Sequence, residues 1–372
     1  MKLTFPHMGN LYIPLKTFFE GIGNEVITPP YCSKRTLEIG TKLAPEYACL
    51  PLKINLGNFI EAFERGADTI VMAGGIGPCR FGYYCEIQRE ILKKNGYDFE
   101  MIVLEPPKKQ MLKLINNIKR LLKKDISTLI NSARFAWKKA IILDNLERII
   151  SKKRAMERKK GETEKVYKEL IKKLENISEE NMLEKFSVEI EEKLNMIEED
   201  KKVPLVIGIV GEIYTILEPF ANLNIEKQLG ELGVETKRNI YITDWVRENL
   251  FPKFLKPKNL NEIIEKAFPY IRHFVGGHGQ ESVAQIVNFS NKNFDGVIHL
   301  LPFTCMPEIV AKSAIPKVSK DYKIPVMTLV LDEHSGEIGF RTRLEAFVDL
   351  IGQKKEEYIL NERLFGSGYR VS

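Results

Sequence analysis

Five residues carry most of the reactive chemistry: Cys32, Cys49, Cys79, Cys85 and Cys305. Five is odd, and a chain of 372 residues can bury cores without disulfide staples, so these read as reduced thiols. A reduced cysteine is buried filler, a nucleophile or a metal ligand. Cys49, in Glu46-Tyr47-Ala48-Cys49-Leu50-Pro51, lies just before a predicted helix. Cys79 follows a predicted strand in Gly74-Gly75-Ile76-Gly77-Pro78-Cys79-Arg80, and Cys305 follows another in Leu301-Pro302-Phe303-Thr304-Cys305-Met306-Pro307. At such places backbone amides and the helix dipole favour thiolate. Zinc is one reading, but these cysteines are 30 and 226 residues apart, whereas structural zinc sites bring ligands in close pairs. Single cysteines at scattered loop tips suit a cluster or a catalytic site assembled between two domains, and iron–sulfur clusters draw thiolates from distant loops. Cys32, after Pro29-Pro30-Tyr31, is a candidate nearby or supplementary ligand. Cys85 lies six residues after Cys79 inside a predicted helix, where core filler is favoured over a fourth ligand.

Other constellations are weaker. Arg80, beside Cys79, could pair with a substrate anion, tune a cluster through its charge, or make a structural ion pair. Gly276-Gly277-His278-Gly279-Gln280-Glu281-Ser282 opens a helix, and Gly277 could let free amides meet a phosphate or an anionic cluster; a tight turn with a serine cap is the alternative. Gly208-Ile209-Val210-Gly211-Glu212 lacks the nucleotide P-loop pattern, and Gly75-x-Gly77-x-x-Arg80 fails the dinucleotide fingerprint at its third glycine. No two histidines form an i, i+4 metal pair. His299 reads as a satisfied core residue within an apolar strand, while His278 and His334 are loop candidates for acid–base work. Asp332-Glu333 could be a general base or a helix cap.

The elements that must position these residues alternate. Residues 1–107 read as strand, helix, strand: a strand at Lys2–Phe5, a helix at Leu11–Gly21, strands at Val26–Thr28, Thr69–Met72 and Phe99–Leu104, and helices at Leu52–Arg65 and Tyr83–Lys94. Residues 203–372 alternate again, with strands at Val203–Val210, Gly296–Leu301 and Val326–Leu331 and helices at Asn224–Leu232, Gly277–Asn291 and Arg341–Ile351. Alternation of this kind implies α/β architecture: two Rossmann-like, flavodoxin-like parallel-sheet domains, with ligands bound beyond the carboxyl ends of the strands. There is no short-period internal repeat.

Residues 108–202 differ in kind. They hold one glycine and no proline, and apolar residues recur at helical spacing (Leu112, Ile115, Ile118, Leu121, Leu122), which predicts a charged amphipathic helical insertion between the two domains. The chain's net charge of +6 comes from this segment. It carries 25 basic and 17 acidic side chains, net +8, against −2 elsewhere, and splits into +13 over 108–160 and −5 over 161–202. Few aromatics accompany Lys152-Lys153-Arg154 and Arg158-Lys159-Lys160, so a solvated face or a docking surface for a protein is favoured over nucleic acid. No run reaches 18 apolar residues, and Met1-Lys2-Leu3-Thr4-Phe5-Pro6 has no basic-then-apolar pattern, so we expect a cytoplasmic protein with no membrane partner.

Four stretches together carry a family resemblance. Ala44-Pro45-Glu46-Tyr47-Ala48-Cys49-Leu50-Pro51-Leu52-Lys53, Gly74-Gly75-Ile76-Gly77-Pro78-Cys79-Arg80-Phe81-Gly82-Tyr83-Tyr84, Pro302-Phe303-Thr304-Cys305-Met306-Pro307-Glu308 and Leu331-Asp332-Glu333-His334-Ser335-Gly336-Glu337 with the residues after it are similar to the 2-hydroxyacyl-CoA dehydratase superfamily. The nearest branch is the stand-alone group of CoA-substrate-specific enzyme activase-related proteins, and the resemblance spans nearly all of the chain outside 108–202. It implies a [4Fe-4S] cluster between two Rossmann-like domains, held by Cys49, Cys79 and Cys305, alone or as part of a larger or bridged cluster. It further implies an ATP-hydrolysing, actin-like activator that supplies electrons, a small-molecule or CoA-ester substrate, and a dimer. Five cysteines are too few for the six of a single-chain double cubane, and no second subunit is evident. Dehydration or reduction by a lyase or reductase therefore stands beside two alternatives: a non-catalytic electron carrier or cluster-assembly component, and a zinc-binding or structural cysteine protein.

Overall fold

The structure, a computed structural model, describes residues 1–75, 77–105, 107–250 and 259–365. Ile76 of the glycine-rich loop, Pro106 at the end of the first domain and residues 366–372 therefore lie outside the described residues. Two four-stranded parallel sheets form, each flanked by helices, as the alternation predicts. The first contains β1 (Lys2–Thr4), β2 (Glu25–Val26), β3 (Thr69–Ala73) and β4 (Glu100–Leu104) in the order β2-β1-β3-β4. The second contains β5 (Leu205–Gly211), β6 (Val234–Arg238), β7 (Gly296–Pro302) and β8 (Val326–Leu331) in the order β6-β5-β7-β8. The two sheets thus share one topology, and β3 and β7 are equivalent strands. In each, the chain leaves its first strand in one direction and later continues on the other side, so a switch point lies beside β1 and β3, and another beside β5 and β7.

Period-two burial builds the layers. Leu3, Val71 and Ile102 face one side of the first sheet, while Ile70, Met72 and Val103 face the other. In the second sheet Ile207, Ile209, Ile298 and Leu300 pack under Phe340, Leu344 and Phe347, and Val210 and Val297 meet Val283, Ile286 and Val287 on the opposite side. All of β7 is buried, which is why it reads as a continuous apolar run.

Residues 108–202 are helical: Pro107–Leu121, Ile126–Met156, Glu162–Asn176 and Met182–Asn195. They are more than an appendage. Leu143, Leu146, Ile150, Leu170, Leu174, Phe186 and Ile190 share one core with Leu3, Phe5, Ile13 and Phe19 of the first domain. The long Ile126–Met156 helix also grips the second domain. Ser151 Oγ donates to the carbonyl of Thr236 at 2.6 Å, the Thr243 amide donates to Asp144 at 2.8 Å, and Glu147 pairs with Arg238.

Candidate functional site

The three cysteines Cys49, Cys79 and Cys305 occupy one kind of local position. Each is the residue immediately before a helical segment: Cys49 before Leu50–Glu64, Cys79 before the 3-10 turn Arg80–Tyr83, and Cys305 before Met306–Asp321. The pattern Cys-x-Pro explains two of these starts, because Pro51 and Pro307 fall in the first helical positions, where a missing N–H costs nothing and the fixed φ suits the helix. Cys79 and Cys305 follow the equivalent strands β3 and β7, so each domain delivers one thiol to its own switch point.

A small polar network ties the loops together. The Arg80 guanidinium donates to the Tyr47 carbonyl at 3.2 Å and to the Thr304 carbonyl, and Thr304 Oγ1 donates to the same Tyr47 oxygen at 3.0 Å. One arginine therefore joins the Cys79 loop to the loops of Cys49 and Cys305, across the domain boundary. It does this through carbonyl groups rather than through the ion pair, which was one sequence alternative. Thr304 holds a left-handed φ of +64°, so the Cys305 loop is strained into place. Gly276 and Gly277, at φ +84° and +47°, lie against Cys79: a methyl group on Gly277 would stand 3.8 Å from its sulfur, and one on Gly276 would press on its amide at 2.8 Å. Gly277 thus lies beside Cys79. The helix after it starts at Gly279 behind His278, which makes no side-chain cap, and Ser282 is buried without a hydrogen-bond partner instead of capping.

The site is short of water. Cys49 and Cys305 are buried and Cys79 is half-buried. Burial pushes the Cys49 thiol up to about 11, with the Glu212 carboxylate adding to it. Burial also raises Cys79 and Cys305, reinforced in both by Glu212 and Glu308. Opposing this, the amides of Leu52, Phe81 and Glu308 favour thiolate from the following helical turns, as Arg80 does for Cys49 and Cys79. The same carboxylates act on all three sulfurs or on two of them, and Cys305 and Cys49 feel one another, so the thiols converge electrostatically.

Sequence reasoning did not assign Tyr84, Glu212 or Glu308. The Tyr84 hydroxyl touches Cys49 Sγ, and burial beside that sulfur raises its pKa well above the ordinary value. Glu212 directly follows β5 and accepts the amides of Tyr214 and Thr215 at 3.0 and 2.9 Å. A position immediately after the first strand of a Rossmann-like domain is the signal that could have found it. Glu308 is wholly buried: one oxygen meets His299 Nε2 at 2.8 Å and the other has no partner. His299, whose Nδ1 meets Thr328 at 3.3 Å, is a satisfied core histidine, as its apolar strand suggests.

The remaining candidates separate. Cys85 packs among Leu52, Phe59, Met72 and Leu92 in the first domain's core. Cys32 belongs to another group, facing Asn58, Tyr214, His7 and Glu218. Glu333 pairs with the buried Lys53 across the domain boundary; burial raises its carboxyl and the bond to Lys53 more than offsets this, leaving it below the ordinary range. Asp332 accepts the His334 amide at 2.9 Å and the Ser335 hydroxyl at 3.0 Å in a turn that precedes the last helix, Glu337–Phe365, and His334 is exposed.

Among the described residues, the group whose ligand atoms all lie within 4.8 Å of one another is His7, Cys32 and Glu218; the sulfurs of Cys49, Cys79 and Cys305 do not close to that distance. A multi-iron cluster is larger than one cation and takes more widely set thiolates. Thiols are the ligand type such a group takes, and Gly276 and Gly277 bring no side chain against Cys79. In comparisons with known proteins, no family model matches the sequence and no curated protein does.

Proposed function

We propose that the chain is a cytoplasmic iron–sulfur redox protein resembling the cluster-bearing component of 2-hydroxyacyl-CoA dehydratases. In this reading Cys49, Cys79 and Cys305 hold a [4Fe-4S] cluster between the two domains, alone or bridged to a second across a dimer. The carrying observation is the placement of Cys79 and Cys305 after equivalent strands, with Cys49 joined to them by Arg80 and Thr304. When bound, such a cluster supplies one-electron chemistry and, with three protein thiolates, one iron open to an exogenous ligand.

The chain's own groups would have distinct tasks. Arg80 fixes the three loops and places positive charge beside a multiply anionic centre, which favours the reduced state. Tyr84, Leu50 and Leu52 close the Cys49 side, excluding water. Glu212 and Glu308 place their carboxylates where they act on the thiols, and burial raises the Glu212 carboxyl, which suits it to hold a proton as the site changes charge. Exposed Tyr47, Tyr83, Phe274, Phe303 and Met306 belong to the loops around the cysteines and offer an apolar rim on which an ATP-hydrolysing activator could dock. The substrate would be a small molecule or CoA ester, reduced or dehydrated after electron entry.

Anaerobic purification, reconstitution, and iron and sulfide analysis test the reading. We expect a brown protein with about equal iron and sulfide, an outcome lost in Cys49→Ala, Cys79→Ala and Cys305→Ala but kept in Cys85→Ala. A colourless wild-type protein after reconstitution, or cluster loss confined to Cys85→Ala, would refute it. Turnover of 2-hydroxyacyl-CoA esters with a cognate activator then separates an enzyme from an electron carrier, which would be reduced without turnover.

A further inference from the structure

A second group of ligand-type side chains lies outside the three-cysteine site. His7 follows β1, Cys32 follows β2, and Glu218 follows the short helix Ile213–Leu217 that comes after β5. Two therefore come from the first domain and one from the second. Their ligand atoms all lie within 4.8 Å of one another. His7 and Glu218 are 2 % and 3 % exposed, too buried for a chance meeting of surface groups.

The surroundings hold each group in position. His7 Nδ1 meets Glu218 Oε2 at 3.1 Å, an oxygen that also accepts the Gly9 amide at 2.7 Å, while Oε1 accepts the Phe220 amide at 3.0 Å. The His7 ring stacks on Tyr12 and meets the edge of Tyr31. Among the described residues Cys32 Sγ has long contacts, 3.6 Å to the Asn58 side-chain nitrogen, 3.8 Å to the Asn58 side-chain oxygen and 3.8 Å to the Tyr214 hydroxyl. Backbone amides orient the carboxylate, as outer partners orient ligating groups in metal sites, and the rings of Tyr12 and Tyr31 hold the imidazole. The thiol, by contrast, has no strong hydrogen bond to lose.

We propose that His7, Cys32 and Glu218 form a binding site for a zinc-type divalent cation at the junction of the two domains. One nitrogen, one sulfur and one oxygen donor suit a borderline-soft ion better than magnesium or calcium, which take oxygen. Three protein ligands leave one position of a tetrahedral ion for water or a small ligand. Binding exchanges the Cys32 thiol proton for the cation, and one proton leaves to solvent. Because the ligands come from both domains, the ion would also fasten one to the other.

Cobalt(II) is the probe, since it substitutes for zinc and reports sulfur ligation optically. The full chain is freed of metal and titrated anaerobically with Co2+. One equivalent should give visible tetrahedral bands and a near-ultraviolet thiolate charge-transfer band of single-thiolate intensity, both bleached by Zn2+. Cys32→Ser should lose the charge-transfer band, His7→Gln should weaken binding at least tenfold, and Cys79→Ser should change neither. Zn2+ should raise the wild-type Tm and leave that of Cys32→Ser unmoved. Wild-type protein that takes up no cobalt, a charge-transfer band of three-thiolate intensity, or a band that survives in folded Cys32→Ser would each overturn the assignment. The wild-type spectrum decides the matter even where a ligand variant does not fold. Failure of the iron–sulfur reading would leave this result standing, because Cys79 serves as the control.

Discussion

At the scale of single residues, burial gives Glu281 of the second domain a charge state that differs from that in water. Glu281, in the first turn of the helix Gly279–Asn291, is pushed up to about 8 by burial and by the neighbouring Glu248 and Glu308 carboxylates, against an ordinary 4.5. Its one described hydrogen bond comes from the Asn239 side chain at 3.3 Å, too weak to reverse that shift. The sign follows from proton linkage. Between 4.5 and about 8 the folded chain keeps a proton on Glu281 that the unfolded chain has released, so this residue makes stability fall as pH rises. Below that window the contribution is constant. Glu281→Gln cannot titrate, so its Tm should match the wild type at the acid end and exceed it progressively towards pH 8. Parallel Tm curves for the two proteins would show that Glu281 ionises as it does in water. The residue scale is also where the sequence is most informative about the candidate site. Cys49, Cys79, Cys305, Arg80 and Gly277 are recognisable because Cys-x-Pro and Gly-Pro-Cys-Arg are local signals. Tyr84 and the grouping of His7 and Glu218 with Cys32 are not, since their meaning depends on partners 35 to more than 180 residues away.

At the scale of elements, amphipathic periodicity is legible and charge compensation is not. The apolar strands β3, β4, β5, β7 and β8 fall within a residue or two of their predicted bounds. Strand β6, Val-Glu-Thr-Lys-Arg, is missing from the sequence reading because three charged residues in five look like surface. It is nevertheless mostly buried, since Glu147 and Glu226 neutralise Arg238 from outside the strand. The helix Lys34–Leu43 is likewise absent from that reading, although Ser33 and Thr36 close a capping box at its start. It packs unusually close to Leu50–Glu64, the helix that begins at Cys49. Gly40 abuts the Lys53 carbonyl and Gly57 abuts the Thr36 carbonyl, so a methyl group at either position would strike backbone. Both glycines lie within helices, where alanine is otherwise preferred by about 1 kcal/mol. We therefore expect Gly40→Ala and Gly57→Ala to destabilise by about 1–3 kcal/mol, the usual range for overpacking, despite the gain in helix propensity. Denaturant unfolding measures this, and a stabilised Gly57→Ala would mean that the two helices can separate at no cost.

At the scale of the whole molecule, the uneven charge turns inward. The basic part of the helical segment meets its acidic part: Arg134 and Lys138 pair with Glu180, Arg154 with Glu164, Lys153 with Glu199 and Arg158 with Glu198. Five basic side chains of 108–160 are thus paired with acidic side chains of 161–202. One buried charged contact of the segment reaches further. Glu147, on the long helix, pairs with Arg238 of β6, and Arg238 also lies 3.6 Å from Glu226 and over the Tyr241 ring at 4.5 Å. Burial pulls the Glu147 carboxyl up, but Arg238, Asn10 and Tyr167 outweigh it, and the group stays below the ordinary carboxylate range. Asn10 donates to the same carboxylate at 2.9 Å, so first domain, helical segment and second domain meet at one residue. Removing one partner of a buried pair leaves an uncompensated charge, at a cost of about 3–5 kcal/mol, whereas replacing both with apolar groups is often neutral. Glu147→Leu should accordingly lower stability by about that amount, and the double variant Glu147→Leu/Arg238→Met should recover most of the loss, with both transitions followed by calorimetry on the full chain. Simple additivity in that cycle would mean that the pair contributes nothing beyond its separate side chains. Recovery would show that the cost of Glu147→Leu is the stranded Arg238 charge, not the loss of a contact between the three parts, which the apolar core shared by residues 108–202 and the first domain would still hold.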